Sequence, residues 1–483
     1  MAPIHFQSAS ELTRRLRERE IGCLELLDAF LTRAERFNPR LNAIVCMDRA
    51  GARARARAAD AALARGEVWG PLHGLPMTVK ESFNVAGLPT TWGHPSLKDN
   101  IATADALAVT RLKAAGAVVF GKTNVPLNLA DWQTFNAVYG ATNNPWNEAL
   151  VPGGSSGGAA AVLAAGLAGL EAGSDIGASI RNPAHYCGVY GHKPTHTIIP
   201  PSGHAMPGGL AAADMSVVGP LARSANDLEL ALGVMAGPDE FESAAWKLAL
   251  PPPRQTELKG LRVAVMYDHP VCEVDAEYRE KMEQAVAALV RAGARVAEAA
   301  RPEIDFARFH ELYILMVRAA TSGRLPDEQI TRFLNQRNSL AADDKRYPAL
   351  MARGNTMSHR DWIRLNNERT AFRFKWAAFF KDWDVFLCPA AASAAWPHDH
   401  KGERHERTIV VNGKPAPTTD QMFWAGISSL VYLPATVAPI GLTRSGLPVG
   451  VQIVAAHLED RTSIEVAKML AREIGGFLPP PGF

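Results

Sequence analysis

The sequence predicts an α/β protein, and three observations carry that expectation. From Gly70 onward, short β-rich runs at residues 75–80 (LPMTVK) and 117–121 (AVVFG) bracket a helical stretch over 105–115. The same rhythm returns with LRVAVMYD from Leu261, a helix over 276–291 and ARVAEAA from Ala294. Strand-like DVFLCPA from Asp384, LPATVAPIGL from Leu433 and GLPVGVQIVA from Gly446 then precede a last helix after Asp460.

The elements follow in order. Ser8 with Glu11 spells a capping box, and LLDAFLTRAERFN from Leu26 repeats apolar residues at helical spacing up to Pro39, so residues 1–65 read as mostly helical. Arg53, Arg55 and Arg57 alternate with alanine along that helical region and read as a solvated helix surface rather than a nucleic-acid patch. The small-residue segment 158–170 suits a helix packed tightly in a core. PPPRQTELKG from Pro251 reads as a surface connection. Residues 302–380 read as largely helical, with Ser358 and Asp361 as a cap and Trp362, Leu365, Phe372, Trp376 and Phe379 as an apolar stripe for the core.

Composition narrows the function classes. At 483 residues the length alone favours about three domains. Hydrophobic residues at 47% and charged residues at 21% exclude a disordered or fibrous chain. Lys plus Arg is 51 against 49 for Asp plus Glu, so a net charge of +2 argues against DNA, RNA or an anionic membrane and for a small, weakly charged partner. Five cysteines (Cys23, Cys46, Cys187, Cys272, Cys388) without a CxxC pair fit a reducing compartment and buried packing. The opening MAPIHFQSASELTRRLRERE holds no apolar run of signal-peptide length, and the weakly polar stretch 157–170 is shorter than the ~18–20 residues of a membrane span. A cytoplasmic protein is therefore expected, as a monomer or homodimer.

The chemistry concentrates in residues 152–187. Ser155 sits between Gly153-Gly154 and Gly157-Gly158, and Ser179 follows 24 residues later in GSDIGAS. Within 152–187 the glycines fit neither GxxxxGK[ST] nor GxGxxG, so a phosphate loop and a dinucleotide fold are disfavoured there. His398, His400 and His405 lie in HDHKGERHE, which reads as an exposed polar loop because neither HExxH nor a matching cysteine accompanies it. Cys187 in YCG reads as inert packing.

These motifs resemble the amidase signature family, whose hallmarks are a GGSSGG block, a GSDxGxS(I/V)R block and an essential lysine upstream. All three occur in order: Lys80 in GLPMTVKE, Ser155 in the first block and Ser179 in the second. GKTNVP from Gly121, ATNNPW from Ala141, RNPAHYCGVYGHKPT from Arg181 and GLPVGVQIVA near the end agree. The resemblance implies a large mixed sheet covered by helices on both faces. It also implies one domain over 1–483: an N-terminal helical region (1–65), a catalytic core (66–225), a helical substrate cover (302–380) and a C-terminal return to the core (384–483). Further, it implies a Ser-Ser-Lys triad, with Ser179 as nucleophile, Ser155 as a bridging serine held by a cis peptide, and Lys80 as base. Ile176, Gly177, Ala178 and Ser179 would offer backbone N–H groups to an oxyanion, with Ala178 standing where many members have glycine. Ser156, Asp175 and Arg181 would support the serine turn. No cofactor and no metal is implied.

The logic of the triad is physical as well. A lysine at its ordinary pKa is neutral in about 1 molecule in 2,500 at pH 7, and burial at the end of an apolar strand can tune it toward ~7–8. The expected activity is hydrolysis of a small uncharged amide, aryl or alkyl, with carbamates (urethanes) and esters as extensions of the same acyl attack. The alternative is the glutaminase-type subunit of a tRNA-dependent amidotransferase, disfavoured because VPLNLADWQTFNAVYG replaces the DEFAMG-type text of that subunit. Trp132, Phe135, Tyr313, Phe423 and Trp424 are candidates for an apolar pocket or for core.

Overall fold

The computed structural model describes residues 3–483. Within them an eleven-stranded mixed sheet forms the spine of an α/β fold. In chain order its strands are β1 (Ile44–Met47), β2 (Pro76–Lys80), β3 (Val118–Thr123), β4 (Glu171–Asp175), β5 (Tyr190–Lys193), β6 (Val217–Ala222), β7 (Arg262–Val265), β8 (Arg295–Ala297), β9 (Val385–Pro389), β10 (Ala435–Leu442) and β11 (Pro448–Val454). Across the sheet they stand β1-β3-β2-β4-β6-β5-β10-β11-β9-β7-β8. β2 runs parallel to β3 and β4, and β7 parallel to β8 and β9. The other neighbours are antiparallel. Every residue of β2, β3 and β4 is buried, which is why β2 and β3 read as continuous apolar runs rather than alternating ones.

The helical 302–380 region resolves into Phe306–Ser322, Asp327–Ser339, Tyr347–Asn355 and His359–Asp382. Phe372, Trp376 and Phe379 are buried, and Trp362 and Leu365 pack partly buried against the same core. Ser358 Oγ accepts from Asp361 N (3.1 Å), the cap its spacing implies. At the first helix, Ala9–Arg17, only half of the capping box forms. Ser8 Oγ accepts from Glu11 N (3.1 Å), while the Glu11 carboxylate turns to Arg14 (2.7 Å).

Three readings change. The second helix, Cys23–Leu41, runs through Pro39, which lies exposed in the last turn where only one late N–H is lost before Asn42 ends the helix in the left-handed region. The 158–170 segment is helical only over Gly157–Ala164, because Gly166 (φ +68°) turns the chain toward β4. Arg55 is not a solvated side chain: its Nε donates to Ala117 O (2.8 Å) beside β3. Among the described residues no helix is long and apolar enough to cross a membrane, and no group of three His, Cys, Asp or Glu side chains could hold a metal ion.

The Gly157–Ala164 helix is wedged against the chain leaving β3. A Cβ on Gly158 would lie 2.4 Å from Asn124 N and 2.9 Å from Ala43 O, both backbone atoms that cannot swing aside. Gly158→Ala is therefore expected to destabilise by about 1–3 kcal/mol. Gly233, in the Ala225–Met235 helix, has nothing within 4 Å of such a Cβ. Gly233→Ala is expected to stabilise by about 0.5–1 kcal/mol through helix propensity. Thermal midpoints of the two variants on either side of the parent check this, and the same direction of shift in both contradicts it.

Candidate active site

The parallel strands β2 and β4 end side by side at Lys80 and Asp175, and the chain beyond their carboxyl ends builds the site. Lys80 is fully buried. Its Nζ donates to Ser155 Oγ (2.6 Å) and Ser174 Oγ (2.9 Å), with Ser174 O at 3.5 Å. Burial lowers the Lys80 pKa to about 7, against the opposing pull of Asp175 and Glu171. Ser155 follows a cis Gly154–Ser155 peptide. Gly153 before it has φ +86°, and a Cβ there would meet Asn182 Oδ1 at 2.5 Å, so only glycine fits.

Ser179 lies in the turn between β4 and the Arg181–Cys187 helix. The Ser155 and Ser179 hydroxyls face one cavity of about 350 Å³, with no hydrogen bond between them among the described residues. Their loops are locked together: Ser156 N donates to Ser179 O (3.0 Å), and Ser156 Oγ lies 3.4 Å from both Ser174 N and Ser174 O.

Asp175 organises the turn. Its carboxylate accepts from Ala178 N (2.9 Å) and Ile180 N (3.0 Å), and from Arg181 Nε (3.0 Å) and Nη2 (2.8 Å). Burial pushes its pKa up, and the charge and hydrogen bonds of Arg181 outweigh this and hold it below the usual carboxylate range. Arg181 in turn donates to Ser428 Oγ (2.9 Å), Ser429 Oγ (2.9 Å) and Gln452 Oε1 (2.5 Å). The Met422–Ser429 helix and β11 are thereby tied to the turn.

The directions of the turn amides follow from what holds the carbonyls. Tyr313 OH donates to Ile176 O (3.0 Å) and Trp132 Nε1 donates to Gly177 O (2.8 Å). In a trans peptide the N–H points opposite its carbonyl, so Gly177 N–H turns away from Tyr313 and Ala178 N–H away from Trp132. The second of these corrects the expectation for Ala178. Its N–H is spent on Asp175 Oδ1, and its φ of +68° sets the peptide that way. The amides of Ile176, Gly177 and Ser179 have no hydrogen-bond partner among the described residues.

Two site residues escaped the sequence reading. Ser174, inside the GSD block, is the second hydroxyl on Lys80 Nζ, and strand alternation gave no sign that it would reach the lysine. Glu171, at the start of β4, is fully buried beside Thr78, and neither carboxyl oxygen has a hydrogen-bond partner among the described residues. Burial pushes its pKa up to about 8.

Of the five aromatic candidates, Trp132 lines the cavity. Tyr313 is buried beneath the turn, Phe423 and Trp424 belong to the core, and Phe135 stacks on His400 (4.0 Å). His405 reaches the cavity wall, while His398 lies 5.3 Å from His400. Cys187 is buried with its Sγ 3.4 Å from Pro152 O, and burial pushes its thiol pKa up. The lining also departs from the near-neutral sequence charge: Arg318, Arg324 and Arg404 all border the cavity.

Known proteins resemble the chain over nearly its whole length. Residues 25–464 fit the amidase family profile. The chain is 33% identical to an acylamidase of Rhodococcus erythropolis over 470 residues, covering 96% of this chain and 94% of that one. It is 31% identical to a glutamyl-tRNA(Gln) amidotransferase subunit from Roseiflexus castenholzii over 498 residues, covering 98% and 96%. A bacterial aryl acylamidase of the amidase signature family superposes with a TM-score of 0.82 over 98% of this chain and 97% of that one, at 23% identity, a likeness of fold. The chain thus belongs to the amidase signature family and is a hydrolase acting on carbon–nitrogen bonds.

Proposed function

We propose that the protein hydrolyses carboxylic amides through an acyl-enzyme on Ser179, activated by Ser155 and a neutral Lys80. The observation that carries this reading is the 2.6 Å contact of a fully buried Lys80 Nζ with Ser155 Oγ, at the wall of the cavity that Ser179 shares. A neutral amine keeps two N–H donors and one lone pair. The donors suit Ser174 Oγ and O, and the lone pair takes the Ser155 proton while Ser155 takes that of Ser179. Ser179 Oγ then attacks the amide carbonyl. As the C–N bond breaks, the relay runs backward and protonates the leaving amine, and water repeats the sequence on the ester.

Charge developing on the carbonyl oxygen needs donors fixed in advance, each worth about 3 kcal/mol in a dry site. The free amides of Ile176, Gly177 and Ser179 supply candidates, and Trp132 and Tyr313 keep the intervening peptides from flipping. Carbamates and esters present the same carbonyl to the same groups. A second reading draws on the 31% identity to the amidotransferase component: the chain would then hydrolyse glutamine for a partner.

Purified chain alone should release 4-nitroaniline from simple anilides; glutaminase activity seen only when a partner protein is supplied would favour the amidotransferase reading. A fluorophosphonate should label the wild type and not Ser179→Ala, whereas persistent labelling of that variant at another serine contradicts the nucleophile assignment. Because Lys80 acts as its neutral form and burial puts its pKa at about 7, kcat/KM should fall about tenfold per pH unit below about pH 7 and level off above it. A profile flat from about pH 5 to 9 contradicts the role of Lys80 as base.

A further inference from the structure

Three arginines border the cavity that holds Ser155 and Ser179, and none of them has a carboxylate within ion-pair distance among the described residues. Of the cavity's acidic residues, Asp175 is taken by Arg181 (2.8 Å) and Asp131 by Arg407 (2.5 Å), which leaves only the exposed Glu403 at the rim. Arg324 lies over the Trp92 ring, its guanidinium carbon 4.7 Å from the centroid. Arg318 and Arg404 converge from different elements, the Phe306–Ser322 helix and the Arg404–Glu406 turn. Arg318 Nη2 donates to Tyr347 OH, and the Tyr347 ring stacks on His405, the neighbour of Arg404 (6.5 Å).

Both guanidiniums keep a buried nitrogen with no partner among the described residues, Arg318 Nε and Arg404 Nη2. The second Arg404 terminal nitrogen reaches only Ala130 O, at 3.3 Å. A buried N–H without an acceptor is costly, and two like charges on one wall without a counter-ion raise that cost. An arginine fork matches the two oxygens of a carboxylate, which resolves both. The location is also fixed relative to the chemistry: Arg404 lies over Trp132 (5.7 Å), whose Nε1 holds Gly177 O in the serine turn.

Resting on the amide-hydrolysis reading above, we propose that the substrate is an amide bearing a carboxylate, which Arg318 and Arg404 bind while the amide carbonyl lies at Ser179. The cavity of about 350 Å³ suits a small molecule, such as the half-amide of a dicarboxylic acid or an N-acyl aminobenzoate. An amino-acid amide fits less well, since its ammonium finds no unpaired carboxylate inside, only Glu403 at the rim. This replaces the uncharged substrate expected from the net charge, because a whole-chain sum of +2 says nothing about one wall.

The test compares two matched pairs: glutaric acid mono-4-nitroanilide with hexanoic acid 4-nitroanilide, and 4-(pentanoylamino)benzoate with pentanoylanilide. At low salt the wild type should favour the carboxylated member of at least one pair by about tenfold or more in kcat/KM, mainly through KM. Arg318→Gln and Arg404→Gln should each bring that ratio close to one, and Arg404→Lys should keep part of it. Fluorophosphonate labelling of Ser179 reports whether each variant is folded, and the wild-type ratios stand without any variant. Neutral members preferred in both pairs, or a ratio unchanged in folded Arg318→Gln and Arg404→Gln, overturns the carboxylate proposal while leaving amide hydrolysis intact. Turnover of none of the four compounds overturns the underlying reading, and this proposal with it.

Discussion

Lys80 is buried at the end of a central strand with hydroxyls and a carbonyl for neighbours, and no carboxylate reaches its amine. The carboxylates that could hold it as an ammonium are both disarmed. Asp175 is gripped by Arg181 and by the turn amides, and Glu171 is buried without a partner and pushed toward its neutral form. The low Lys80 pKa thus comes from burial together with the prior claims on its neighbours. Arg181 thus helps to set the charge of Lys80 by holding Asp175, whose carboxylate would otherwise favour the ammonium.

The same Asp175–Arg181 pair explains why the sheet must be assembled from distant pieces before the site exists. Asp175 shapes the turn that carries Ser179, and Arg181 reaches Ser428, Ser429 and Gln452 from the last sixty residues. Trp132 and Tyr313 pin the two carbonyls of the turn from two further segments. A buried ion pair of this kind is a device for geometry more than for stability, because desolvation offsets much of its attraction. Here it fixes which turn amides remain free.

Much of this was legible in the sequence, and the limits have physical causes. The helix over Ala276–Arg291 and strands β2, β3 and β7 stand within two or three residues of their expected bounds, because amphipathic or continuous apolar patterns dictate them locally. The juxtaposition of Lys80 and Ser155, and of both with the cavity of Ser179, could be anticipated from motif resemblance; no spacing rule would have brought residues 75 and 99 positions apart together. Strands β5 and β6 were not readable: Gly219 and Pro220 are strand breakers by propensity, yet His192 O passes so close to Gly219 that a Cβ would sit 2.5 Å from it. Ala178 was expected to donate to an oxyanion, and only the folded turn shows that Asp175 already holds its N–H. The arginine-lined wall was hidden for another reason: Arg318 and Arg404 are 86 residues apart, and each reads alone as ordinary surface charge.

The proposed serine relay depends on the charge state of Lys80, and the most direct measurement is an NMR titration of that side chain in protein labelled with ¹³Cε-lysine, assigned by difference against Lys80→Met. A midpoint near pH 7, with the amine neutral by about pH 8.5, is the predicted result. A Lys80 signal that keeps its ammonium shift above about pH 9.5 would contradict it, since the neutral base would then be too scarce to drive the serine relay.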